Sequence, residues 1–154
     1  MISNATALIC LSRINKLSLL KKVYSVVVIP SAVKIEVLVK GKEGYTIINN
    51  AIKNGWIRIA DPKNNINLGL GAGENQAINL ARERKDSILL DDAFAIKAAK
   101  ALEIPVARTT TFIFTALKKK LITKAEALNC LNLLIETGYY ISPMDYAALI
   151  SELK

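Results

Sequence analysis

Short apolar runs alternate with longer amphipathic stretches along this chain, and the alternation predicts its elements. Residues 1–4 read as a short buried strand, and residues 5–22 as helix broken near Lys16 and Leu17. Val26, Val27, Val28 and Ile29 form a second strand that Pro30 stops. Ser31 is placed to cap a helix reaching about Lys40, and residues 45–54 make another before Gly55. A third strand covers 56–60. The segment 61–73, polar and then glycine-rich, reads as a long loop. Helix 74–85, strand 87–90, a helix from Asp91 to about Leu102 and strand 105–107 complete the alternation. Three further helices are expected, over 112–121, 123–137 and 143–153.

Strands alternating with helices imply right-handed crossovers and a parallel sheet. The expected fold class is therefore α/β, three layers (α/β/α) with a central parallel sheet of about five strands. No repeat, low-complexity tract or linker divides the chain, so residues 1–154 read as one domain, with the helices of 123–154 packed on it.

Composition narrows the chemistry. The hydrophobic fraction of 52% supplies a real core and excludes disorder. There is no histidine, which excludes a Ser-His-Asp triad, a Cys-His pair and histidine-ligated zinc or haem. Cys10 and Cys130 lie far apart among apolar neighbours and form no CxxC motif, so they read as core thiols. What remains is carboxylate, lysine, hydroxyl and thiol, a vocabulary suited to hard cations such as Mg²⁺ or Mn²⁺. The net charge of +8 suits a phosphate backbone. Without a basic leader or an apolar run of spanning length, a cytoplasmic location is the expectation.

Several polar side chains fall where a parallel sheet would gather them. Asn4 ends strand one, and Asp91 and Asp92 follow strand four; in open α/β sheets ligands bind at that end of the strands. One aspartate there is a common helix cap, but two exceed what capping needs. Glu74 shares a helical face with Ala77, Ile78 and Ala81, and Glu36 lies in an apolar helical pattern beside Val37. A bare carboxylate in such a pattern is costly, and a shared cation would relieve it. The run Gly69-Leu70-Gly71-Ala72-Gly73 lacks the GxGxxG spacing, and Glu74 would repel a phosphate there. A glycine loop positioning Glu74 is the better account. Thr109, Thr110 and Thr111 follow strand five; one is expected to cap the next helix. Arg108 and Lys97 are the expected phosphate contacts.

The segments ISNATALICLSRI, VVVIPSAVKIEV, GLGAGENQAINLA, ILLDDAFAIKAAKALEIPV and VARTTTFIFTALKKKLI, in this order, resemble the PIN-domain family, a metal-dependent ribonuclease fold. The likeness is to a prokaryotic PIN-like subfamily in which Asn often takes the first acidic position, and VapC-type toxins share the layout. The resemblance implies an acidic cluster at Asn4, Glu36, Glu74 and Asp92, with Asp91 beside it, binding one or two Mg²⁺ or Mn²⁺ ions. It places Thr109 at the family's threonine position, where it would touch nucleic acid. It also implies RNA as substrate, a small antitoxin protein as partner and a homodimer, while the short apolar runs imply no membrane association.

Two functions of different class follow. The first is a metal-dependent endoribonuclease in which Glu36, Glu74, Asp92 and Asp91 hold the cation and activate water. The second is a PIN-like module that binds nucleic acid or a partner without cutting, because Asn4 brings no charge. A receiver-type phosphoacceptor fits poorly: strand one ends in Asn4 and Ala5 rather than an acidic pair, and Asp61 has no acidic partner nearby.

Overall fold

The structure is a computed structural model describing residues 1–154. Five short strands form one sheet: β1 (Ile2–Ser3), β2 (Val27–Ile29), β3 (Ile57–Ile59), β4 (Ile88–Leu89) and β5 (Val106–Ala107). Their order is β3-β2-β1-β4-β5 and every pairing is parallel, in the registers Ile2 with Val28, Ile2 with Ile88, Val28 with Arg58 and Ile88 with Val106. The inner strands β1, β2 and β4 are apolar or small throughout and fully buried, as strands covered on both faces must be.

Nine helices surround the sheet: α1 (Ala5–Arg13), α2 (Ser18–Tyr24), α3 (Ser31–Val37), α4 (Tyr45–Lys53), α5 (Ala72–Arg84), α6 (Ala93–Ala101), α7 (Thr109–Lys118), α8 (Lys124–Glu136) and α9 (Pro143–Leu153). They pack in two groups. In one, α3 joins α1 to α5, which in turn meets α6; in the other, α7 joins α2 to α8, and α8 meets α9. The expected three-layer α/β/α arrangement is the one observed. The buried apolar side chains form one contiguous core from Ile2 to Leu153, so the C-terminal helices share it. No helix is long and apolar enough to cross a membrane.

The chain runs outward from β1 through β2 to β3, then returns by α5 to β4 on the other side of β1. The reversal of direction falls between β1 and β4, where doubly wound sheets open a crevice at their carboxyl edge. The returning loop is held by α5 itself. Asn75, Asn79 and Glu83 recur every four residues along one stripe. Asn75 Oδ1 accepts the Leu68 N–H (2.7 Å) and Asn79 Oδ1 the Ile66 N–H (3.2 Å). Both amides donate to the Ile66 carbonyl (2.9 and 2.8 Å), and Glu83 accepts the N–H groups of Lys63 and Asn64. The two buried asparagines are thus fully bonded, and they fix the segment that leads into Gly71.

Helix limits correct the sequence expectations in four places. Helix α3 stops at Val37 rather than Lys40, and Ser31 is its first residue, not its cap: the Ser31 N–H and hydroxyl both donate to Asp61 (2.7 Å each). Helix α5 begins at Ala72, with Gly71 as N-cap, because the Gly71 carbonyl accepts the Asn75 N–H. Helix α6 is capped by Asp92, whose Oδ1 accepts the Ala95 N–H (2.8 Å), so Asp91 lies before the helix. Helix α7 begins at Thr109 with no threonine cap, because Asp91, which follows the neighbouring strand β4, accepts the Thr109 N–H instead (2.9 Å).

Candidate active site

The parallel topology brings the ends of β1, β2, β4 and β5 to one edge, and with them Asn4, α3, Asp91 and Arg108. Asn4 occupies the N-cap position of α1 but makes no capping bond. It is 1% exposed, and neither its side-chain oxygen nor its nitrogen has a hydrogen-bond partner. Its N–H is used in the sheet, donating to the Leu89 carbonyl (3.2 Å). A buried carboxamide left bare on both atoms costs roughly 1–3 kcal/mol per group. The centre of the sheet edge therefore presents polar atoms that the chain itself does not satisfy.

Glu36 and Glu74 meet where α3 packs on α5. The buried face of α3 is Val33 and Val37, one helical turn apart, which leaves Glu36 beside that face. Glu36 is exposed, contrary to the expectation of a charge within the apolar pattern, because the seven-residue helix buries only that narrow stripe. Its carboxyl end is nevertheless crowded. Partial burial, then the charge of Glu74, raise its proton affinity above the ordinary carboxylate value, while the Gly73 N–H pulls it back. Glu74 is half-buried in the first turn of α5 and folds back over Gly71.

Two glycines make this pair fit. A Cβ on Gly73 would overlap Glu36 Oε1 and lie 2.9 Å from its Cδ. A Cβ on Gly71 would lie 2.7 Å from Glu74 Oε2. The glycine-rich run is a seat for two carboxylates, and Gly73 is a site residue that motif reading missed.

On the β4 side the arrangement differs. Asp91 Oδ1 accepts the Thr109 N–H and the Tyr139 hydroxyl, and Asp91 Oδ2 accepts the Thr109 hydroxyl (2.6 Å). Three donors tie β4 to α7 and to the link between α8 and α9. Thr109 is fully buried and spends both its donors on Asp91, so it presents nothing to a nucleic acid. Burial and the Asp91 charge raise the proton affinity of Tyr139, keeping it a donor. No pattern in the sequence announces Tyr139, which lies 48 residues from its partner. Asp92 is exposed, with one carboxyl oxygen committed to its cap.

The acids thus form two groups, Glu36 with Glu74 and Asp91 with Asp92, flanking the strand that ends in Asn4. No three carboxylate or thiol side chains stand together as a ready metal cluster. Arg108 is exposed and lines a cavity of about 660 Å³ with Asp91 and Asp92. Lys97 is exposed on α6 and lines neither that cavity nor the one beside Glu36. Arg13 borders both cavities; its Nε pairs with Glu43 (3.0 Å) and its Nη1 donates to the Thr137 carbonyl (3.3 Å).

The donor set fits a hard divalent cation. Oxygen ligands dominate it, the Glu36–Glu74 repulsion would be relieved by positive charge, and the bare Asn4 oxygen would gain a partner. Among known proteins, no curated protein and no solved structure matches the chain. A family model described as a PIN domain (DUF3368) matches residues 1–154. With its five-stranded parallel sheet and its polar groups at the carboxyl edge, the chain belongs to this PIN-domain family.

Proposed function

We propose that this protein is a metal-dependent endoribonuclease whose Mg²⁺ or Mn²⁺ would be held by Asn4, Glu36 and Glu74, with Asp92 on the far side of β1. The observation that carries the reading is the buried, unbonded carboxamide of Asn4 at the centre of the sheet edge. The nuclease-type fold of the PIN family supports it. When bound, the cation supplies Lewis-acid activation of water and offsets charge building on the phosphodiester. The chain's own part is positional. Gly71 and Gly73 hold the two glutamates in place, Asp91 fixes the β4 end through Thr109 and Tyr139, and Asp92 fixes the start of α6. Arg108 and Lys97 hold phosphates, and the net charge of +8 makes the affinity salt-sensitive and poor in sequence preference. In a toxin–antitoxin setting, a small antitoxin would cover this edge.

The test is cleavage of labelled single-stranded RNA with Mn²⁺, Mg²⁺ or EDTA, using wild type and Glu74→Gln. Metal-dependent cutting that the variant loses while staying folded is expected. Undiminished cutting by Glu74→Gln overturns the assignment.

Two observations favour a second reading. Asn4 is neutral, and the acids stand in two groups rather than one cluster. A module that binds RNA without cutting would show metal-independent affinity and no cleavage, and Asn4→Asp would then introduce activity.

A further inference from the structure

The cavity beside Asp91 borders the proposed cation site through Asp92 but is far larger than a cation needs. Its volume, about 660 Å³, falls within the range of sites that enclose small ligands. Its charge is already partly settled. Three donors occupy Asp91, the α6 cap uses one oxygen of Asp92, and Arg13 is held by Glu43 and the Thr137 carbonyl. Arg108 makes no ion pair and is the free cation of the wall.

Beside it stands an exposed aromatic ring. Gly138 turns the chain after α8 with φ +96°, and the next two residues diverge. Tyr139 points inward, 8% exposed, with its hydroxyl on Asp91, whereas Tyr140 is 79% exposed and lines the same cavity. The Tyr139 tether fixes the backbone that carries Tyr140, so binding against its ring costs little further ordering. Phe94, 77% exposed, follows Ala93 of the cavity wall.

An open ring held beside a free guanidinium matches a base and its phosphate. We propose that this cavity seats one unpaired nucleotide of single-stranded RNA, with its base stacked on Tyr140 and its phosphate on Arg108. The proposal rests on the nuclease reading only for the identity of the nucleic acid. A duplex cannot fill the seat, because its bases are already stacked on each other.

The test is binding measured in EDTA, so that no cutting is required, by fluorescence anisotropy with a short labelled single strand and with the same sequence as a duplex. Tyr140→Ala is expected to weaken single-strand binding about tenfold, the loss of one stacked base, and to leave duplex binding unchanged. Tyr140→Phe keeps the ring and is expected to bind as wild type. Arg108→Gln is expected to weaken single-strand binding and to reduce its salt dependence by about one phosphate contact. Circular dichroism checks that each variant folds. Unchanged single-strand affinity in Tyr140→Ala, or an equal loss on duplex, overturns the proposal. A protein that binds this way but never cuts with Mn²⁺ keeps the seat and loses only the nuclease reading.

Discussion

Gly73 leaves the space that the Glu36 carboxylate fills, since a methyl group there would overlap Oε1 and lie 2.9 Å from Cδ. The neighbour that must yield is the far end of a flexible side chain, not backbone. Gly73→Ala should therefore displace the carboxylate and leave the fold intact. Alanine also orders the first turn of α5 more readily than glycine does. The expected outcome is an unchanged or slightly raised melting temperature together with weaker Mn²⁺ binding, read by thermal melts and calorimetric titration.

Glu36 also gives a pH dependence with a definite sign. Its proton affinity is raised in the fold by burial and by Glu74, so the folded state favours the protonated form. The cost of charging it is absent below the ordinary carboxylate value and grows as pH rises through the raised one. Glu36→Gln should thus stabilise the metal-free protein at pH 7 and not at pH 4. The side chain is exposed, so the gain is on the order of 0.5 kcal/mol after solvent screening. Denaturant titrations at the two pH values measure it.

Asp91 holds three elements together, and its loss should show in stability. Asp91→Ala leaves the buried Thr109 hydroxyl and N–H without their acceptor, for a cost of about 2–3 kcal/mol. Tyr139→Phe removes one donor while the other two remain, and should cost about 1–2 kcal/mol. Urea midpoints order the two variants; equal stability of Asp91→Ala and wild type would contradict this role.

The asparagine stripe of α5 makes a separate stability prediction. Asn79→Leu keeps the branched shape of the side chain but leaves the Ile66 N–H unbonded, so it should destabilise by about 1–3 kcal/mol and expose the loop before Gly71 to proteolysis. Limited digestion, with the cut sites mapped, checks it.

The order and type of the elements were legible in the sequence because each is short, strongly patterned and bounded by Gly, Pro or a cap. The break between α1 and α2, the five strands and the placement of α9 follow from that pattern. Helix starts were less legible wherever a partner distant in sequence does the capping: Asp91 starts α7, so the threonines that looked like caps are held rather than holding. The same reason hid Tyr139, whose role depends on a contact across 48 positions. Nothing in the sequence singles out Asn75 and Asn79, because their partners lie in a loop without periodicity. Glu36 falls within a helix as expected, but periodicity could not tell that so short a helix buries only Val33 and Val37 there. The glycine run was legible as a loop positioning Glu74, because Glu74 already argued against a phosphate, but the close approach of Glu36 to Gly73 was not, since it joins two helices distant in sequence.

The account stands most directly on one cation held by Asn4, Glu36 and Glu74. Calorimetric titration of the folded protein with Mn²⁺, beside Glu74→Gln and Asn4→Asp, measures it. Saturable binding in wild type, loss in Glu74→Gln and tighter binding in Asn4→Asp are predicted, since the last variant adds a charge where a bare carboxamide now lies. Saturable binding that neither substitution alters would place the cation elsewhere and contradict the account.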